Sequence, residues 1–235
     1  MDYAITKQEY ERIRTLLYDE SGISLGDSKQ SLVVSRLTKR LRDLQMEDFS
    51  SYYEYVTRDE SGEEFTRMLD LLSTNKTDFF REPKHFDFLR ERILPTLEQE
   101  KRIRIWSSAC STGEEPYTIA MTLHEAVKNP ALWNFQILAS DISTRVLAHA
   151  AKGLYAEERV REVPEDIVKR HFLQGRGDSA GLVKVKPHLS AIIKFRRMNL
   201  MGDRFPIKAP LDLIFCRNVM IYLDHPTQER LVNKC

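Results

Sequence analysis

The chain is poor in the residues that mark the special classes of protein. It has only 3 cysteines among 235 residues, Cys110, Cys216 and Cys235. They form neither an even framework nor a CxxC pair, which excludes a disulfide scaffold and favours reduced thiols. Nine glycines and nine prolines are too few for a collagen-like or low-complexity chain. Six scattered histidines, with no HxxxH pair and no Cys/His cluster, offer no structural metal site. No apolar stretch reaches the length of a membrane span, and the opening MDYAITKQEYERI is too charged for a secretory signal, so a cytoplasmic location is expected. Neither sign of charge dominates. Lys and Arg total 36 against 35 Asp and Glu, and a formal net charge of +1 speaks against a dedicated nucleic-acid binder.

What is present is ordinary globular material, 42% hydrophobic and 9% aromatic, in a chain long enough to bury roughly 70% of its unfolded surface. The first eighty residues read as short amphipathic helices. Thr6 and Glu9 have capping-box spacing ahead of Tyr10, Ile13 and Leu17. Val33, Leu37, Leu41 and Leu44 form a second stripe, and Phe49, Tyr52, Tyr53 and Val56 a third. Ser61 with Glu64 is expected to cap a fourth helix bearing Phe65, Met68, Leu69 and Leu72. Pro83 suits the first turn of a fifth, with Phe86, Leu89, Ile93 and Leu97 on one face. Two runs are locally basic: Arg36, Lys39, Arg40 and Arg42 lie close together with no acid between them, and seven bases fall between Lys184 and Lys208. Solvated surface is the commoner meaning of such runs, and docking to an acidic partner is the sharper one.

After the fifth helix the pattern alternates. Strands are expected at 102 to 108, 135 to 140, about 192 to 198 and 211 to 216, with helices from Glu114 and after Ser143, which implies a parallel α/β sheet covered on both faces. Residues 153 to about 195 break that rhythm. A helical VPEDIVKRHF, the turn-rich QGRGDSAG and the alternating LVKVK read as an insertion with a small antiparallel element.

Ligands of open α/β sheets bind beyond the carboxyl ends of the strands, where strand order reverses. The residues in those positions are SSACSTGEEPY after the first strand, Asp141 after the second, Asn199 and Leu200 after the third, and Arg217, Asn218, Met220 and Tyr222 after the last. Each alone is commonplace: Ser-Thr-Gly is usually capping, Asp141 equally suits a helix N-cap, and Cys110, Trp106, Tyr117 and Tyr222 suit a core. Their recurrence at successive strand ends is what points to one crevice. The first loop lacks GxGxxG, so a pyrophosphate is disfavoured. A nucleoside without phosphates fits better, and S-adenosylmethionine is the common one. Asp141 would take the ribose diol, Asn199 and Leu200 the adenine, and Arg81 the carboxylate.

Six segments, STNKTDFFREPKHFDFL, IWSSACSTGEEPYTIAM, LASDIS, GLVKVK, MNL and IFCRNVMIYLD, occur in an order that closely resembles the CheR family of chemotaxis receptor methyltransferases over nearly the whole chain. The resemblance implies a helical domain at 1–74, a linker and connecting helix at 75–101, and a Rossmann-like, S-adenosylmethionine-dependent methyltransferase domain at 102–235 with a β-subdomain inserted at 153–191. By motif it implies cofactor contacts at Asn75, Thr77, Arg81, Glu115, Asp141, Asn199, Leu200, Arg217 and Asn218, and reacting groups positioned by Arg81 and Tyr222. The implied reaction is methylation of glutamate carboxylates on receptor cytoplasmic domains. Arg36, Lys39, Arg40 and Arg42 would face those receptor helices, and the edge of the β-subdomain would pair with a receptor tail. The family's sheet continues past the last strand seen here, so a truncated chain is expected. Two other functions stay open: a nucleic-acid amino-group methyltransferase, although CRNVMIY lacks the prolines of that motif, and a cofactor-binding sensor or scaffold without turnover.

Overall fold

Thr6 opens the first helix by the device its spacing suggests. The Glu9 amide donates to the Thr6 hydroxyl (3.2 Å) and the Thr6 amide to the Glu9 carboxylate (2.8 Å), so two orphaned donors are satisfied reciprocally. In the computed structural model, which describes residues 3–73, 76–208 and 210–235, this helix α1 (Lys7–Ser21) is followed by α2 (Gln30–Asp43), α3 (Phe49–Arg58) and α4 (Glu63–Leu72). Tyr10, Ile13, Leu17, Val33, Leu37, Leu41, Phe49, Tyr52, Val56, Met68, Leu69 and Leu72 are buried, as four apolar stripes facing one core require. The start of α4 differs from expectation. Gly62 occupies the N-cap; the Glu63 amide donates to Ser61 Oγ (3.2 Å) and the Glu64 amide to Asp59 (2.8 Å). The Glu64 side chain is not free for a capping box because it is turned inward, where it meets Arg40 and the Tyr52 hydroxyl.

Contacts divide the chain into two units, Met1–Asn75 with Asn199–Arg204 and Asn218–Cys235, and Lys76–Met198 with Phe205–Arg217. The first therefore takes in two segments that lie beyond residue 102. Ile23 and Leu223 form an antiparallel bridge, the Ser24 amide donates to Tyr222 O (2.8 Å), and Tyr18 Oη donates to Asp224 (2.9 Å). Gly22, at φ 73°, ends α1 in the left-handed conformation that glycine adopts without strain, and a Cβ there would stand 2.5 Å from Met201 Sδ.

In the second unit, α5 (Lys84–Phe88) passes into a wider π-type turn (Leu89–Ile93) and then a 3-10 turn (Leu94–Leu97). Pro95 has no N–H with which to continue the α ladder. Strands β1 (Arg102–Ser107), β2 (Asn134–Asp141), β3 (Leu154–Ala156), β4 (Phe172–Gln174), β5 (Leu182–Val185), β6 (Ile193–Arg197) and β7 (Leu213–Phe215) make two sheets. The larger is parallel, in the order β6-β2-β1-β7. Ile105 lies in register with Ile137 on one side and Leu213 on the other. Helices α6 (Glu114–Ala126) and α7 (Thr144–Lys152) pack on β2. Ile103, Ile105, Phe135, Ile137, Ala139 and Phe215 form the core, while their strand neighbours Arg104 and Gln136 reach solvent, so the cover on the second face is incomplete. The smaller sheet is antiparallel, β3-β5-β4, and belongs to the insertion together with α8 (Glu165–His171) and α9 (Pro187–Ser190). Helix α10 (His225–Lys234) closes the chain in the first unit.

Candidate functional site

Chain order places β2 and β6 on one side of β1 and β7 on the other, so the topological switch lies between β1 and β7. At their carboxyl ends the small side chains of SSACSTG let backbone groups approach one another closely. The Ser108 amide and hydroxyl both donate to Phe215 O (2.9 and 3.0 Å). Trp106 Nε1 donates to Ser140 Oγ (2.9 Å), which donates in turn to Ser108 O (3.1 Å). Trp106 and Tyr117 are core residues. So is Cys110, whose thiol is pushed well up by burial with the carboxylates of Asp141 and Glu115 nearby, which makes it a poor nucleophile.

The turn before α6 is tightly specified. Ser111 adopts the left-handed conformation (φ 47°) and Gly113 follows at φ 98°. A Cβ on Gly113 would lie 2.8 Å from Ala150 Cβ and 2.9 Å from Tyr155 Oη, so α7 and β3 can approach only a glycine. The Ser111 amide donates to one oxygen of Asp141 (2.9 Å) and the Ser143 amide to the other (3.0 Å). Asp141 thus accepts from two backbone amides, one in the turn before α6 and one at the N-cap residue of α7, and braces both segments at once.

Arg217, two residues beyond β7, ties Glu115 to the segment of Arg81 and Glu82. Nη1 donates to Glu115 (3.0 Å), Nη2 donates to Arg81 O and Glu82 (3.2 Å to the latter), and the guanidinium stands 5.2 Å from the Phe86 ring centroid. Glu115 also accepts from Ser107 Oγ (2.7 Å). Burial raises the Glu115 pKa, and the bonds from Ser107 and Arg217 oppose the shift. Arg81 is half-buried; its Nη1 donates to Lys76 O (2.6 Å) and its Nε lies 3.9 Å from Glu82. Of the six non-glycine residues at positive φ among those described, Phe80, Glu82, Ser111 and Asn218 fall in or beside the segments singled out from sequence. Strained backbone concentrates where a site over-determines it.

Other expected residues belong to the first unit. Asn199 donates through Nδ2 to Glu20 O (2.6 Å) and accepts the Met201 amide (2.9 Å), so both ends of its amide serve the local fold. Leu200 is buried; Asn218, at φ 56°, and Tyr222, in a 3-10 turn, are half-buried. Asn75 lies outside the described residues. Of the expected docking residues, Arg40 turns inward. It makes a bidentate pair with Glu64, with side chains 17% and 6% exposed, so its charge is neutralised inside the helical unit. Arg36, Lys39 and Arg42 are exposed.

Residues 75–235 match the family described as CheR methyltransferase, SAM binding domain, and residues 8–73 match its all-alpha domain. The chain belongs to the CheR methyltransferase family. It is 43% identical to chemotaxis protein methyltransferase 2 of Pseudomonas aeruginosa, over 99% of this chain and 82% of that protein. It is 40% identical to the chemotaxis protein methyltransferase of Borreliella burgdorferi, over 98% and 83%, and 38% identical to that of Escherichia coli K12, over 98% and 79%.

The cofactor of this CheR-family domain is S-adenosyl-L-methionine. The residues present fit it. Ser111 Oγ and Arg217 Nε are buried without a hydrogen-bond partner among the described residues, an arrangement that a polar ligand would relieve. Cations at Arg81 and Arg217 and the acid at Asp141 match a molecule that carries both a carboxylate and a diol. Sequence reasoning missed Glu114 and Arg159. Glu114, beside Glu115 in GEEPY, is buried and paired with Arg159 of the insertion at 2.7 Å. No sequence pattern links residues 45 positions apart.

Proposed function

We propose that this chain methylates side-chain carboxylates of glutamates in the cytoplasmic helices of chemotaxis receptors, giving glutamyl methyl esters and S-adenosyl-L-homocysteine. The reading is supported by the family, by the chemotaxis methyltransferases among the relatives, and above all by one observation: Arg217 holds Glu115 and the Arg81 carbonyl together at the carboxyl end of the sheet. Bound there, S-adenosyl-L-methionine supplies an electrophilic methyl group on a sulfonium sulfur. Asn75, Thr77 and Arg81 would contact it, Arg81 near the methionine carboxylate, and Asp141 would accept from the ribose hydroxyls. Glu115, Asn199, Leu200, Arg217 and Asn218 complete the cofactor contacts, and Tyr222 faces the transferred methyl.

A free glutamate carboxyl has a pKa of about 4.3, so the nucleophile is already ionised at neutral pH and no general base is needed. The work left to the protein is alignment of oxygen, carbon and sulfur and removal of water from the carboxylate. Arg36, Lys39 and Arg42 attract the acidic receptor helices, and a free edge of the β3-β5-β4 sheet tethers a receptor tail. The deciding experiment supplies cofactor labelled in its methyl group together with a purified receptor cytoplasmic fragment. Label that enters the receptor and leaves as methanol in mild base is the expected result, because esters hydrolyse where methylamines do not. Base-stable label, or label in RNA, overturns the carboxylate reading.

A further inference from the structure

The insertion that carries the small sheet reaches back to the segment just before α5 at one charged point. Arg159 lies in the 3-10 turn Glu157–Val160, directly after β3. Its Nη2 donates to the Thr77 carbonyl and to Glu114 Oε1 (2.7 Å), and its Nη1 donates to Asp78 Oδ1 (3.1 Å). Glu114 is itself fixed, in the first turn of α6, by Thr112 Oγ1 (2.6 Å), and Thr112 O accepts from Tyr155 Oη (2.8 Å). Phe79, the residue after Asp78, is buried edge-on against Tyr155 (5.1 Å) and Phe172 (5.4 Å) of the small sheet. Residues 77 to 79 are therefore clamped to the insertion by a guanidinium on one side and an aromatic cluster on the other. Arg81 follows two residues later, after the left-handed Phe80, whose amide donates to Thr118 of α6 (3.1 Å).

We propose that Arg159 is a positioning residue for the cofactor site: by bridging the Thr77 carbonyl, Asp78 and the buried Glu114, it sets the path of the chain that presents Thr77 and Arg81. The inference rests on Thr77 and Arg81 contacting the cofactor. Its geometry is specific to a planar fork. Arginine spans three acceptors at fixed angles, whereas lysine brings a single point charge that can face Glu114 but cannot also reach Thr77 O and Asp78. A merely structural role would need only the charge beside Glu114, since that is the buried acid. A positioning role needs the fork.

The test uses the full chain and S-adenosyl-L-homocysteine, with calorimetry for affinity and thermal unfolding without ligand for the fold. Arg159→Lys is expected to weaken binding about tenfold, or ~1.4 kcal/mol, while leaving the midpoint of unfolding near that of the parent. Asp78→Ala is expected to weaken binding severalfold, and Asp78→Asn, which keeps an oxygen for Nη1, to restore most of the loss. These variants also guard against a lysine protein that fails to fold. With saturating receptor, KM for S-adenosyl-L-methionine should rise in Arg159→Lys while kcat changes little. Parent-like affinity in both Arg159→Lys and Asp78→Ala overturns the positioning role, as does a loss of affinity that tracks loss of fold in every variant. A parent chain that binds no S-adenosyl-L-homocysteine overturns the underlying cofactor reading, and this inference with it.

Discussion

Arg40 shows how far the identity of a residue falls short of its role. In sequence it belongs with Arg36, Lys39 and Arg42, yet it alone is paired with the buried Glu64, which also accepts the Tyr52 hydroxyl (3.0 Å). The pair leaves the Tyr52 phenol surrounded by protein and beside a carboxylate, which raises its pKa. Removing one partner of a buried pair strands the other charge, at a cost of about 3–5 kcal/mol. Arg40→Ala should therefore destabilise the folded chain by about that amount in urea unfolding. The double variant Arg40→Met with Glu64→Leu should recover most of the loss, because no charge is then left buried. A single variant as stable as the parent would mean that water already reaches the pair. Spacing in α2 sets Arg40 beside the stripe of Val33, Leu37 and Leu41, but its partner Glu64 is twenty-four positions away and no local pattern names it.

At the scale of elements, three histidines that look scattered in the sequence are brought together by α6, α8 and α9. His171 Nδ1 lies 2.9 Å from His188 Nε2, and His171 Nε2 lies 2.7 Å from Glu125. The His124 ring centroid is 5.0 Å from that of His188 and 5.5 Å from that of Phe135. Arg170 bonds the same Glu125 (2.9 Å), and Lys186 adds positive charge next to His171 and His188. Burial lowers all three imidazoles, His124 to about 4, with the other two rings adding to the effect on it. A base whose folded pKa lies below its unfolded value binds fewer protons folded than unfolded. Between about 6.5 and about 4 the unfolded chain is therefore the better proton acceptor, and stability falls as pH drops through that window. Urea midpoints measured at pH 7.5 and pH 5 should show this fall. His124→Phe, which keeps the contact with Phe135 and removes one titration, should flatten it; an unchanged slope would assign the effect to other groups. The elements themselves were legible, since the apolar periods and the N-caps at Thr6 and Ser143 are local. Their lateral meetings were not, because periodicity names a face and never its neighbour.

At the scale of the molecule, the near-neutral total charge conceals a local field. Arg36, Lys39 and Arg42 remain exposed after Arg40 is withdrawn, and surface charges of one sign act mainly on encounter and register. Reversing those three to Glu should raise KM for receptor by about tenfold, ~1.4 kcal/mol, leave affinity for S-adenosyl-L-homocysteine unchanged, and reduce the sensitivity of the parent's KM to salt. An unchanged KM would make this face solvated surface only.

The periods of 3.6 and 2, the capping residues, the small-residue turn after β1 and the order of the six family segments are all properties of neighbours along the chain. They determined the helical first part, the parallel sheet, the inserted antiparallel sheet and the family without any coordinates. Long-range partnership was decided by the tertiary structure alone. It turned Arg40 and Glu114 inward, gave Asn199–Arg204 and Asn218–Cys235 to the helical unit, and set Arg159 against Thr77 eighty-two positions away. The physical reason is that a buried charge or an orphaned amide is satisfied by whatever the fold brings within about 3 Å, and that distance is not written in sequence separation.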